Sequence, residues 1–119
     1  PYHLVHLDTP MSLARAVLFG DAVGQPVGGP VVEVVAIAKR DLQAGETLDA
    51  YGRYMTYGQA EQASVVRVQG LVPEGLVEGC RLRRAIAKDQ PIHWADVEAP
   101  SQELGHQLYA EQQLRWGSV

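Results

Sequence analysis

The hydrophobic and polar positions at the start of the chain predict a short strand, a helix and a linker. Residues 2–7, YHLVHL, have a composition that predicts a short strand. Thr9 is then a suitable helix N-cap, and Pro10 suits the first helical position, where no backbone N–H is needed. Good helix formers follow as far as Gly20, the expected end of the helix. Residues 20–30 contain four glycines and two prolines, which indicates a linker.

The middle of the chain has a pattern typical of β-structure. Residues 31–38, VVEVVAIA, are rich in β-branched side chains and lack a helical period, so they predict a well-buried strand. Residues 64–68 and 80–86 interleave apolar with polar positions and predict two further strands. Between them, residues 71–79 contain two glycines and a proline and are too interrupted to form one regular element.

The end of the chain predicts one more helix, over residues 102–116. Ser101 is a suitable N-cap for this helix. Its apolar stripe of Leu104 and Leu108 is thin, and Gly105 lowers the helix propensity further.

An internal repeat at an offset of 44 residues connects two of these segments. Residues 38–49, AKRDLQAGETLD, align with residues 82–93, LRRAIAKDQPIH. Each unit has a basic pair, then an apolar residue, a turn residue and a second apolar residue. In the first unit these are Lys39–Arg40, Leu42, Gly45 and Leu48. In the second unit they are Arg83–Arg84, Ile86, Asp89 and Ile92. Aspartate can replace glycine at such a turn because its short side chain tolerates left-handed backbone. The repeat therefore predicts two strand–turn–strand units that pack with pseudo-twofold symmetry.

The predicted elements together indicate a mostly β fold with a helix near each end. Residues 1–30 form the initial strand, helix and linker, residues 31–99 the β domain, and residues 100–119 a helical tail. A length of 119 residues suits one domain with its own core.

Composition and charge narrow the classes of partner. The net charge of −4 argues against a nucleic-acid binder, which needs a basic surface to replace phosphate counterions. No apolar run reaches the roughly 18 residues of a membrane helix, so we expect no membrane partner. Cys80 is the single cysteine, which favours a buried structural thiol and fits a reducing, cytoplasmic setting. Because the sequence begins at Pro1, we also expect it to be a piece of a longer protein.

The two repeat units resemble the SAF superfamily, the antifreeze-like domain with a β-clip fold. Its hallmarks are segments similar to VVAIAKRDLQAGETLD at 34–49 and LRRAIAKDQPIHWADV at 82–97, and the resemblance covers residues 31–98. Such domains close sialic acid synthases, open altronate dehydratases and occur in flagellar and pilus assembly factors. The resemblance implies a mostly β, β-clip-like domain.

A second resemblance covers nearly the whole chain. The segments PYHLVHLDTPMSLARAVLFGDA, AKRDLQAGETLDAYGRYMTYGQAE and GLVEGCRLRRAIAKD are similar to the C-terminal part of bacterial oxidoreductases related to homoserine dehydrogenase. That group includes reductoisomerase-like enzymes that act on deoxyxylulose phosphate. In it a Rossmann domain binds NAD(P), a middle domain carries the chemistry, and an SAF-like module closes the chain. The resemblance implies that residues 1–22 are the tail of the middle domain.

The chain itself lacks the dinucleotide-binding motif of that family. No strand leads into a Gly-x-Gly-x-x-Gly turn, because Gly24, Gly28 and Gly29 have the wrong spacing. We therefore expect no cofactor in this chain, and NAD(P) only in a parent enzyme.

The segment YGRYMTYG, residues 51–58, is the first candidate binding site. Alternation places Tyr54 and Gly58 on one face of an extended segment and Arg53 and Tyr57 on the other. The oxidoreductase family carries a similar loop ending in the equivalent of Tyr57–Gly58. We predict that Tyr54 or Tyr57 packs and that Gly58 shapes the chain. The remaining tyrosine and Arg53 then face a partner domain, a subunit or a substrate.

The basic pairs of the repeat are the second candidate site. Lys39, Arg40, Arg83 and Arg84 converge on one phosphate- or carboxylate-binding patch if the two units are related by a pseudo-twofold axis. Ordinary solvated strand edges are the alternative, and we favour it.

Metal-binding and catalytic arrangements find little support in the sequence. His3, His6 and Asp8 are potential metal ligands, but no further cluster completes a tetrahedral site. No nucleophile–base pair or paired carboxylate stands out, so no catalytic residue is predicted.

These observations leave three functions open. The leading one is an accessory module of an NAD(P)-dependent oxidoreductase. It would brace the catalytic domain, contribute to a homo-oligomer and lend residues 50–59 to the active site. The second is a stand-alone binding module for a small anion such as a sugar acid. The third is an assembly chaperone of the flagellar or pilus type.

Overall fold

The computed structural model describes residues 4–22, 24–100 and 103–117 of the chain. Its helices are α1 (Val5–Phe19), α2 (Ala63–Gln69) and α3 (Leu104–Trp116), and its strands are β1 (Val32–Ala38), β2 (Thr56–Gln62), β3 (Arg81–Leu82) and β4 (Val97–Glu98). Short 3-10 turns lie at Glu74–Leu76 and Trp94–Asp96. Two antiparallel pairs form, β1 with β2 and β3 with β4.

The prediction of a mostly β fold is wrong. Of the described residues, 37% are helical and 23% are in strands, and they form three α-helices and two two-stranded sheets. Residues 64–68, expected as a strand, lie in α2, whose buried residues are Ala63 and Val66. Gly70 ends this helix in the left-handed region, at φ 65°. Tertiary packing of one helical face has overridden the strand preference of the valines.

The strand expected at the start of the chain is also wrong where it can be checked. Residues 5–7 lie in α1, and residues 1–3 are outside the described part. The helix begins at Val5 rather than after Thr9, so Pro10 falls inside it. The predicted end is confirmed, because Gly20 adopts φ 62° and its N–H bonds back to Ala16.

The strand predicted over residues 31–38 is confirmed as β1, but the prediction that it is well buried is right only for residues 35–38, since Val32 and Val34 are 59% and 48% exposed. Its partner β2 pairs in register from Val32 opposite Gln62 to Ala38 opposite Thr56. The helix predicted at the end is confirmed as α3, although its expected cap, Ser101, lies outside the described residues. The strand expected over residues 80–86 is only partly right, since β3 comprises Arg81 and Leu82 alone.

The predicted pseudo-twofold symmetry is confirmed at its centre. Leu42 and Ile86, equivalent in the repeat, exchange two backbone hydrogen bonds of 2.8 and 3.0 Å. The N–H of Gly45 donates to Leu82 at 2.8 Å, and the N–H of its counterpart Asp89 donates to Ala38 at 2.8 Å. The two turn residues also share left-handed backbone, at φ 86° for Gly45 and φ 63° for Asp89.

Both repeat units supply the larger hydrophobic core. Its members from the two units and their surroundings include Leu42, Leu48, Ile86, Ile92, Val72, Val77, Cys80 and Val97. A smaller cluster of Val35, Ile37, Val66 and Leu71 packs against Tyr57. Helix α1 contributes no buried residue to either cluster.

Candidate functional site

The tyrosine loop, residues 49–58, is held in place by side-chain hydrogen bonds to its backbone. Asp49 anchors it by accepting hydrogen bonds from the N–H groups of Tyr54 at 3.0 Å and Met55 at 3.2 Å. The Lys39 ammonium donates to the Arg53 carbonyl at 2.7 Å from the other side. The alternation predicted for an extended segment is therefore wrong for residues 51–55. They form a closed turn in which a carboxylate replaces the missing strand partner.

The tyrosine loop is longer than its counterpart in the second repeat unit. Ala38 pairs with Thr56 across one sheet, and the equivalent Leu82 pairs with Val97 across the other. Eighteen positions separate the first pair and fifteen the second, so the tyrosine loop is longer by three residues. The two halves thus differ at the segment that carries the exposed tyrosines. Extending the repeat alignment beyond residue 49 would have found this signal in the sequence.

The loop displays aromatic and cationic chemistry to its surroundings. Tyr51 and Tyr54 are 72% and 82% exposed, and Arg53 is exposed between them. Tyr57 instead packs against the smaller core cluster, and its hydroxyl donates to Asp89 at 3.3 Å. Desolvation and the neighbouring Asp89 carboxylate raise the pKa of Tyr57. The prediction that Tyr54 or Tyr57 packs is confirmed for Tyr57, while binding by the exposed side chains stays a prediction.

Gly58 shapes the base of the loop, as predicted. A Cβ at this position would lie 2.5 Å from Cγ1 of Val34 and 3.6 Å from Cγ of Glu74. Only a hydrogen at Cα allows β1 and β2 to pair here with the Val34 side chain in place.

Beneath this glycine lies a buried carboxyl group that the sequence did not reveal. Glu74 is 2% exposed, and Thr56 donates its hydroxyl to Oε1 at 2.9 Å. The second oxygen, Oε2, is buried without a hydrogen-bond partner among the described residues. Burial raises the pKa of Glu74, against the opposing effects of Thr56 and the Lys39 charge. Glu74 lies in a segment with no regular pattern, so only the packing of Thr56 over it could identify the residue.

Two of the four predicted anion-binding residues form ion pairs with acids close by. Arg40 Nη2 lies 2.6 Å from Oε2 of Glu46, and Arg84 Nη2 lies 2.9 Å from Oδ2 of Asp96. Asp96 is 4% exposed. Burial alone would raise the pKa of Asp96, but the hydrogen bonds from Arg84 and the His93 backbone outweigh it and lower the value.

The other two basic residues bind backbone carbonyls. The Lys39 ammonium is occupied by the tyrosine loop, and Arg83 Nε donates to the Val97 carbonyl at 2.9 Å. The structure thus brings Lys39, Arg53, Tyr54, Tyr57 and Gly58 to one region. It gives each of the four basic residues a partner close by, and their joint use on one anion stays the less favoured of the two interpretations.

The potential metal ligands are not brought together. His6 and Asp8 lie on the exposed helix α1 rather than on a strand, and His3 is outside the described residues. Within residues 4–22, 24–100 and 103–117, no group of three His, Cys, Asp or Glu side chains is placed to hold a metal.

The single cysteine is buried, as predicted. Cys80 has no exposed surface, and its thiol contacts the Leu76 carbonyl at 3.3 Å. His106 Nε2 is 4.0 Å from the sulfur. Burial, with a smaller effect of Glu103, raises the thiol pKa to about 11. A thiol held in its neutral form is a poor nucleophile, so this pair lacks the character of a catalytic dyad.

Helix α1 is a large apolar surface, and sequence reasoning did not recognise it as exposed. None of its fifteen residues is buried. Val5, Leu7, Met11, Leu13, Val17, Leu18 and Phe19 are each more than 60% exposed. A helix that is apolar over most of its circumference is normally buried against other elements.

No protein-family model matches the chain, and no curated protein matches it. Among the described helices, none combines the length and apolar character needed to cross a membrane.

Proposed function

We propose that the chain is the C-terminal, SAF-like accessory module of an NAD(P)-dependent oxidoreductase. It braces the catalytic domain or the oligomer and lends the tyrosine loop to the neighbouring active site. NAD(P) belongs to the parent enzyme, and the module works in the cytoplasm, where a lone reduced cysteine is stable. The resemblance to the homoserine-dehydrogenase group supplies the enzyme class.

The exposure of helix α1 is the observation that carries the interaction role. Asp8 and Arg15 are its only acid and its only lysine or arginine, whereas seven large apolar side chains face outward. Contiguous apolar surface of this kind marks a protein–protein interface rather than a solvated face. A bracing module needs such a surface, because its work consists of packing against another domain or subunit.

The tyrosine loop supports the second half of the proposal. Tyrosine and arginine are the side chains most enriched at interfaces, and Tyr51, Arg53 and Tyr54 are presented together. Asp49 and Lys39 fix the loop backbone before any partner arrives. A preordered loop loses less conformational entropy on binding, which suits a segment that completes a neighbouring site.

The test is the native polypeptide that contains this sequence. We expect blotting and mass spectrometry of cell extracts to find it in a species several times larger than 13.0 kDa, with peptides from a dinucleotide-binding domain. The purified 119-residue chain should give no binding heat when titrated with NADPH. A native species of 13.0 kDa, or NADPH binding by the chain alone, would refute the proposal.

A further inference from the structure

A groove beside β1 provides an apolar surface that none of the described residues fills. It has a volume of about 520 Å³ and lies between β1, the Glu74–Leu76 turn and α3. Val32, Val34, Leu76 and Leu108 are among its apolar lining residues. The groove is widely open to the surface, which suits the face of another protein segment better than an enclosed small molecule.

The groove has a polar side formed by Glu33 and Tyr109. Tyr109 donates its hydroxyl to Oε2 of Glu33 at 3.0 Å, and both residues line the groove. The other oxygen, Oε1 of Glu33, is buried and accepts no hydrogen bond from the described residues. The negative charge of Glu33 in the lining of the groove therefore favours an occupant that carries a cation.

Helix α1 carries a surface with the complementary pattern. Leu7, Met11, Ala14 and Leu18 follow one another at spacings of four, three and four residues, which places them along one side of the helix. Arg15 follows Ala14 and borders this stripe, and it is the only lysine or arginine of the helix. Its ion pair with Asp21 is exposed on both sides, so exchanging Asp21 for another carboxylate costs little.

We propose that helix α1 of one copy of this chain lies in the groove of a second copy, and that the exchange is reciprocal. The Leu7–Met11–Leu18 side of the helix packs on the apolar lining, and Arg15 lies beside Glu33. This inference rests on the proposed function, in which α1 is an interface, and it names the partner as a second copy. Reciprocal docking gives a twofold dimer in which both contacts are the same.

The position of α1 relative to the rest of the chain favours exchange between copies. The radius of gyration is 17.7 Å, against about 13.5 Å for a compact chain of this length. Helix α1 has no buried residue, so it is not packed into the body that carries the groove. The linker over residues 20–30, with four glycines and two prolines, is suited to a hinge between them.

The test uses charge reversal at the two sides of the contact. In a homodimer, Arg15→Glu brings a second carboxylate against Glu33, and Glu33→Arg brings a second guanidinium against Arg15. We expect analytical ultracentrifugation to show a dimer for the wild-type chain and at least a tenfold weaker dimer for each variant. An equimolar mixture of the two variants should regain dimers. In the mixed dimer, one contact joins Arg15 of the Glu33→Arg chain to Glu33 of the Arg15→Glu chain. The other contact joins the two substituted residues, whose charges are also opposite. Val68→Asp, at an exposed position of α2, is the matched control and should leave dimerisation unchanged.

Each result decides for or against the exchange. A wild-type chain that remains a 13.0 kDa monomer at high concentration overturns it. So does a mixture that fails to associate while circular dichroism shows both variants folded, the outcome expected if α1 docks within its own chain. If the exchange between copies is overturned, the oxidoreductase proposal is unaffected, because it is tested separately by the native mass and the NADPH titration. A dimer formed by a chain that occurs alone in cells would instead refute that assignment and keep the exchange.

Discussion

Replacement of Gly58 by alanine tests how closely β1 and β2 approach at the base of the tyrosine loop. The new Cβ would lie 2.5 Å from Cγ1 of Val34, about 1 Å closer than the ~3.5 Å at which carbon atoms attract most strongly. Valine is branched at Cβ and has little rotamer freedom, so relief requires a shift of the Val34 backbone or an unfavourable rotamer.

The expected loss follows from two opposing effects. Overpacking of this kind costs about 1–3 kcal/mol, and the lower chain entropy of alanine in a strand returns about 0.5–1 kcal/mol. We therefore expect Gly58→Ala to lower the free energy of unfolding by about 1–2 kcal/mol. Urea titration followed by circular dichroism measures this difference directly, and the melting temperature should fall by roughly 3–6 °C per kcal/mol.

Two further variants decide whether the contact with Val34 is the cause. Gly75→Ala is the matched control, because its Cβ meets no atom within 4 Å and its φ is not left-handed. Val34→Ala in the Gly58→Ala background removes the colliding methyl group and should recover about 1 kcal/mol relative to the sum of the single changes. If Gly58→Ala is as stable as Gly75→Ala, or if the double variant shows no recovery, the close approach does not constrain this sheet.

Three other predictions follow from the repeat turns, the Arg84–Asp96 ion pair and the Cys80 thiol. Gly45→Ala should lower the free energy of unfolding, measured by urea titration, by about 1–2 kcal/mol because Gly45 has φ 86°. Asp89→Gly, at the equivalent turn, should lower it clearly less. Equal losses would contradict the equivalence of the two turns. Asp96→Asn should cost about 1–3 kcal/mol at pH 7. Because the pKa of Asp96 is lower in the folded chain, its carboxylate stabilises the fold at every pH above the unfolded pKa of about 3.9. This contribution disappears as the pH falls through the folded pKa. As the pH is lowered from about 5 through the folded pKa of Asp96, the free energy of unfolding should therefore fall less in the variant than in the wild type. Parallel pH profiles of the two proteins would contradict this. Cys80 should react with Ellman's reagent at pH 8 at least tenfold more slowly in the folded chain than in urea, since it is buried with a pKa of about 11; equal rates would refute its burial.

The sequence alone determined the features that depend on a few neighbouring residues. The β-branched run of β1 and the left-handed stop at Gly20 were both predictable, because each reflects a local backbone preference. The repeat predicted the left-handed turn at Asp89 from its alignment with Gly45. It also identified Leu42 and Ile86 as equivalent, and their reciprocal hydrogen bonds lie at the centre of the pseudo-twofold.

Only the tertiary structure determined which distant residues each segment packs against. The valines of residues 64–68 formed a helix because Val66 packs beside Val35, Ile37 and Leu71, a preference that no local pattern contains. The burial of Glu74 depends on Thr56, eighteen residues away in the chain. Backbone preference acts between neighbours in sequence, whereas burial and pairing act between neighbours in space. Only the folded chain could therefore show that helix α1 is left uncovered.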